Sequence, residues 1–164
     1  SCILSDTLEF RSPTTTDHDR AVAEGLAADL GVSIPEYAAE MFAAKSDVSR
    51  FSDAELLRMD SKTYEVGGKT FRVSVLETTA PATVLSRKAS LMDSMITVAK
   101  EDGADQVLLF VIDILREEAT LLVPNDLVRQ VAEKSFSTVV GDADQVVLPG
   151  IVSRKKQIIP NLAL

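Results

Sequence analysis

Two hydrophobic periods run along the chain, and the switch between them marks out its elements. Residues 1–10 carry the short apolar run Cys2-Ile3-Leu4, then Ser5-Asp6-Thr7, then Leu8 and Phe10. That reads as a strand entering a polar turn, a place where α/β proteins often hold site residues. Arg11-Ser12-Pro13-Thr14-Thr15-Thr16 breaks the pattern. A helical period follows over 17–30, capped by Thr16 or Asp17. There Val22, Leu26 and Leu30 share one face, and Gly31 suits a left-handed end. Ser33-Ile34-Pro35-Glu36 is a capping box with Pro in the first turn, predicting a second helix to residue 45. Ser52-Asp53-Ala54-Glu55 repeats the box and predicts a short helix to residue 59. Between them, 46–51 is polar and aperiodic, and a domain boundary is placed there.

The period then drops to two. Segments 63–66 and 69–77 flank Gly67-Gly68, a two-residue hairpin signal. Phe71, Val73 and Val75 alternate with Arg72 and Ser74, as a strand with one buried face requires. A long helix is expected over 83–102, with Leu85, Leu91, Met92, Met95, Ile96 and Ala99 as its stripe and Gly103 as its stop. Residues 107–112 are continuously apolar, which predicts a strand covered on both faces. A strand over 118–123, a helix over 126–136 and a short strand over 146–148 complete the reading. Residues 151–152 lead into a basic turn and 157–159 lead out. Strands and helices mix throughout, so the fold class is α/β, a mixed β-sheet flanked by helices.

Composition narrows the function. The chain has 164 residues and 46% apolar content but no Trp, so its core rests on Leu, Val, Ile and Ala. Net charge is −8, which repels nucleic acid unless a local basic patch prevails. Arg154-Lys155-Lys156 is one such patch, and an acidic body with a small basic focus suits a compact polyanion better than a duplex. The plainer reading is a solvated charge run. No apolar run nears the ~18 residues of a membrane span, and the greasiest stretch, 107–115, is interrupted by Asp113. One Cys argues against a disulfide framework and fits a reducing, cytoplasmic setting. The abrupt apolar start at Ser1 suggests a fragment or processed chain.

Three further residues have bland expectations. His18 lies between Asp17 and Asp19 at a helix start, where solvation is the commoner state. Asp113 borders a buried strand and needs hydrogen-bond partners there. Cys2 reads as a small core residue.

Several ordered motifs together resemble one family. Ser5-Asp6-Thr7-Leu8, Ser12-Pro13-Thr14-Thr15-Thr16 and Asp19 resemble the end of the catalytic DHH phosphoesterase domain in manganese-dependent (family II) inorganic pyrophosphatases. Asp60-x-Lys62 before a Gly-containing hairpin resembles the start of their second domain. Val111-Ile112-Asp113-Ile114-Leu115 resembles its central strand, and Ser153-Arg154-Lys155-Lys156-Gln157 with Pro160 resembles their C-terminal signature. Ile112 departs from the Thr that the family usually has before the Asp.

The resemblance implies a division into residues 1–46, a remnant of the catalytic domain plus linker helices, and residues 47–164, a substrate-binding domain. It implies pyrophosphate as substrate, gripped by Lys62, Arg154 and Lys155, with Asp6 as a ligand to Mn²⁺ (Co²⁺ or Mg²⁺ as alternatives). Lys156 and Gln157 are assigned to positioning or solubility. Most metal ligands of the family, the DHH triplet included, have no counterpart here, so the chain alone is expected to be inactive. Hydrolysis by a metal-activated hydroxide, with domain closure through a flexible stretch at 46–51, is implied for the intact enzyme. A homodimer is implied only at full length, with no nucleic acid and no membrane as partners. Cleavage of polyphosphate or small nucleotides, and a non-catalytic phosphate-binding module, are the alternatives.

Overall fold

A five-stranded mixed sheet carries the molecule, and the computed structural model describes residues 1–164. Helices α1 (Cys2–Asp6), α2 (Asp17–Leu30), α3 (Ile34–Lys45) and α4 (Asp53–Met59) come first. Strands β1 (Ser61–Val66) and β2 (Lys69–Thr78) form the hairpin around Gly67-Gly68. Both glycines have positive φ, which an L side chain rarely adopts. Helices α5 (Pro81–Leu85) and α6 (Lys88–Glu101) cross over to β3 (Gln106–Asp113), which pairs parallel with β2. Strand β4 (Glu118–Leu122), helix α7 (Asp126–Phe136) and strand β5 (Gln145–Pro149) follow. The strand order is β1-β2-β3-β4-β5, and every pair except β2–β3 is antiparallel.

Each sheet face has its own core. On β3, Leu108, Phe110 and Ile112 point to one side and Val107, Leu109 and Val111 to the other. The first side packs under α1, α3 and α7, where Leu4, Phe42 and Val131 are buried and Phe136 meets Phe110 edge-on at 5.9 Å. The second packs under α4 and α6 through Leu56, Leu57, Leu91 and Met95. This double cover follows from the continuous apolar run of β3, since a strand buried twice has no polar face. The first core includes Leu4, Leu8, Ala23, Ala38 and Phe42, so it runs unbroken across residue 46. No helix is long and apolar enough to cross a membrane.

The structure corrects several expectations. Residues 1–10 are a short helix and a left-handed turn, with Leu8, Glu9 and Phe10 all at positive φ. A brief apolar run does not separate strand from helix by period; the helix buries Leu4, and the left-handed turn after it brings Leu8 into the same core. Cys2 is consequently exposed rather than buried. On α2 only Ala23 is buried, while Leu26 and Leu30 are 53% and 73% exposed. They line an apolar groove with Ile3, Ile34 and Tyr37, onto which no other element of the chain packs. Ser33 makes no side-chain cap bond to α3, whereas Ser52 completes its predicted box; of the two cap candidates for α2 it is Thr16 that caps, in a box with Asp19. The helix expected over 83–102 is broken at Ser86-Arg87, and Ile96 is exposed. Strand β2 is covered on both faces, not one. Ser74 is fully buried and donates to the Leu57 carbonyl at 2.5 Å, and Arg72 pairs with Asp102 at 2.9 Å.

The segment expected to be loose, 46–51, is held at both ends. The Ser46 hydroxyl accepts the Thr79 N–H at 2.9 Å. Arg87, freed by the helix break, donates to the carbonyls of Val48 (3.3 Å) and Phe51 (3.0 Å) and pairs with Asp53 at 2.5 Å.

Candidate functional site

The basic turn is built by the two uncharged residues that flank its cations. After β5, Arg154–Ile158 winds as a single π-helical turn, a wider coil than the loop expected here. The Gln157 side-chain oxygen accepts the N–H groups of Val152 (2.9 Å) and Ser153 (3.0 Å), and its amide donates to the Gly150 carbonyl at 2.7 Å. The Ser153 hydroxyl accepts the Lys156 N–H at 3.3 Å. Ile158, fully buried, plugs the turn into the core. The three cations are thus carried between two tied ends, Lys155 and Lys156 exposed and Arg154 partly buried, and Gln157 positions the turn.

Those three cations diverge. Arg154 crosses 94 residues of sequence to Asp60: one terminal nitrogen donates to the Asp60 carbonyl at 2.9 Å, and the other pairs with its carboxylate at 2.8 Å. Asp60 ends α4, and Lys62 stands two residues later on β1, opposite Val73. The fold therefore brings Arg154 to the start of the strand that carries Lys62. Lys155 is the next residue of the turn, and both it and Lys62 are exposed without an ion-pair partner. Lys156 turns the other way and donates to the Pro13 carbonyl at 2.7 Å. Pro13 belongs to the same loop as Thr14, whose hydroxyl reaches the Asp6 carbonyl at 3.5 Å. Asp6 itself is exposed at the end of α1.

A continuous string of contacts thus links Asp6, the Pro13 loop, the basic turn and the head of β1. The role of Asp60 as a holder of Arg154 was not apparent from the sequence. Its only signal there was the Asp60-x-Lys62 spacing, because alternate residues of an extended segment face the same way. Other titratable residues are occupied elsewhere. Asp113, buried, accepts the N–H groups of Leu115 (2.9 Å) and Arg116 (3.1 Å), a structural role. Asp19 completes the α2 cap, and hydrogen bonds from Thr16 hold its carboxyl below the usual range. His18 is exposed on the first turn of the same helix.

A doubly covered α/β sheet with a basic turn brought to its edge strand defines the class of domain, and comparison gives its family. Residues 39–163 match the DHHA2 domain, and the chain belongs to that family. Its relatives are manganese-dependent inorganic pyrophosphatases by name. The chain is 37% identical to one from Lactobacillus gasseri, 41% to one from Deinococcus radiodurans and 35% to one from Methanocaldococcus jannaschii. Each match covers 99% of this chain and 52%, 53% and 52% of the relative, respectively. A crystal structure described as a candidate family II inorganic pyrophosphatase of Methanococcus jannaschii superimposes with a TM-score of 0.83. It is 34% identical, and the match spans 97% of this chain and 51% of the other. The chain thus spans about half the length of the curated relatives it matches and corresponds to the C-terminal half of a family II enzyme.

Manganese, named in those relatives, needs several converging hard or imidazole donors. No group of three His, Cys, Asp or Glu residues converges anywhere in the chain, and Asp6 offers a single exposed carboxylate. The residues of this chain do not by themselves form a manganese site.

Proposed function

We propose that this chain is the substrate-gripping half of an inorganic pyrophosphatase, holding pyrophosphate between Lys62, Arg154 and Lys155 while the phosphoanhydride bond is hydrolysed to two orthophosphates. The supporting observation is the reach of Arg154 to Asp60, which gathers cations from two distant stretches at the head of β1. Pyrophosphate packs several negative charges within a few ångströms. A guanidinium can bind two of its oxygens at once, and ammonium groups act as movable point charges. Such groups lower the cost of charge growing on the leaving phosphate. On this reading Asp6 contributes one oxygen ligand toward manganese in the whole protein, and residues 1–46 belong with the catalytic domain and 47–164 with the substrate domain.

Calorimetric titration of the 164-residue chain with pyrophosphate tests the grip. Arg154→Ala and Lys155→Ala should each weaken binding by about tenfold, in line with loss of a charge-assisted contact. The same titration with tripolyphosphate and a dinucleotide separates pyrophosphate from larger substrates. Unchanged affinity in the Arg154→Ala/Lys155→Ala double variant would remove the site. Addition of Mn²⁺ should produce no turnover by the chain alone, and vigorous hydrolysis would mean that the catalytic groups have been misplaced.

A further inference from the structure

The pairing of Asp60 with Arg154 has a geometry that a surface salt bridge does not need. The residue offers two acceptors of different kinds to two different nitrogens: its carbonyl to one (2.9 Å) and its carboxylate to the other (2.8 Å). The carbonyl is itself fixed, because it also accepts the Val75 N–H of β2 at 3.0 Å. One of the two contacts is therefore referenced to the sheet, and the Asp60 carboxylate supplies the second, which sets the rotation of the guanidinium plane. Arg154 is 17% exposed at its side chain and Asp60 is 55% exposed, so the pair sits at the edge of solvent with the arginine on the inner side.

We propose that Asp60 is a positioning residue, which holds the Arg154 guanidinium in the orientation that grips phosphate oxygens. This inference rests on the phosphate-site reading above. A guanidinium has five N–H donors, and Asp60 engages only two of them, one on each terminal nitrogen. Each terminal nitrogen keeps a second N–H, and the Nε–H is also available. Arg154 is thereby pre-oriented while retaining the donors that a phosphate would use. Pre-orientation matters because an arginine otherwise loses side-chain rotamer freedom on binding. Asp60 does this from the position immediately before the strand that carries Lys62.

A nearby carboxylate could act in the opposite sense, by repelling the anion or competing for Arg154. The two cases differ in sign. Pure repulsion or competition predicts that removing the carboxylate tightens anion binding. Positioning predicts that it loosens binding, despite the gain in net positive charge.

The test is a double-variant cycle on the 164-residue chain, read by pyrophosphate calorimetry with thermal denaturation as a folding control. Asp60→Ala should weaken pyrophosphate binding by about fivefold through the lost pre-orientation of Arg154. Asp60→Asn keeps a hydrogen-bond acceptor and should recover most of that loss. In the Arg154→Ala background, Asp60→Ala should have no weakening effect, since no guanidinium remains to hold. Denaturation midpoints should stay close to wild type, because a half-exposed pair contributes little stability. If Arg154→Ala weakens binding but Asp60→Ala leaves it unchanged or tighter, positioning is wrong and the phosphate site stands. If Arg154→Ala has no effect, both readings fail together. Equal losses from Asp60→Ala with and without Arg154 would show a general structural effect and overturn the proposal.

Discussion

Gln157 shows how a neutral side chain can organise a charged site. Its amide ties Val152, Ser153 and Gly150 into one turn, and no other side chain could supply both the acceptor and the donor at that reach. Replacing it with leucine keeps the approximate volume and removes every one of those bonds. Gln157→Leu should destabilise the chain by about 1–3 kcal/mol, the cost of leaving backbone groups unpaired in a part-buried turn. It should also weaken pyrophosphate binding, because Arg154 and Lys155 lose their fixed base. Urea denaturation and calorimetry on the same preparation check both. Loss of stability with unaltered affinity would separate the turn from the grip. Lys156, by contrast, reaches the Pro13 carbonyl and is tied to the N-terminal loop rather than left free for an anion.

Among the elements, the break between α5 and α6 has the clearest consequence. An unbroken helix through residue 87 would keep Arg87 on a regular helical face. The break instead turns it toward 46–53, where it satisfies two carbonyls and a carboxylate. The stretch 46–53 is thus clamped by one side chain from the α5–α6 junction. Arg87→Ala should raise amide hydrogen exchange at residues 47–53 by roughly tenfold or more, while β3 amides keep their protection. Mass spectrometry of exchanged peptides reads both at once. Equal protection in the variant would mean that Ser46 and buried Val48 suffice to hold the segment.

For the whole molecule, an ion network beside the start of β1 contributes to the expected response to acid. Arg58 pairs with Glu101 (2.8 Å) and Asp102 (2.9 Å), and Arg72 adds a second contact to Asp102 at 2.9 Å. The hydrogen bond from Arg58 is the main cause that holds the Asp102 carboxyl below the usual aspartate range, and Arg72 adds to it. The caps of α2 and α4 lower Asp19 and Glu55 through bonds from Thr16 and Ser52. A carboxyl with a depressed folded pKa adds stability above its unfolded value and loses it as pH falls through the folded one. Denaturation midpoints should therefore be flat across neutral pH and fall below about pH 4. In Asp102→Asn that acid slope should be shallower, and an unchanged slope would assign the acid sensitivity to other groups.

Much of this protein could be read directly from its residues. The hairpin at Gly67-Gly68, the doubly buried β3, helix α7, the cap at the start of α2 and the box at Ser52 depend on local period, backbone freedom and capping chemistry, which neighbours in sequence supply. The cations were legible as a charge run, and their assignment to phosphate came from ordered motifs. Other features depended on contacts between remote segments. The opening residues became a helix and a left-handed turn, which bring Leu4 and Leu8 to a core shared with Phe42 and the sheet. Leu26 and Leu30 stayed exposed because no element of the chain covers them. Arg154 found Asp60 across 94 residues, a contact that no periodicity encodes. Local pattern determines which face an element presents, but only tertiary packing decides what that face meets.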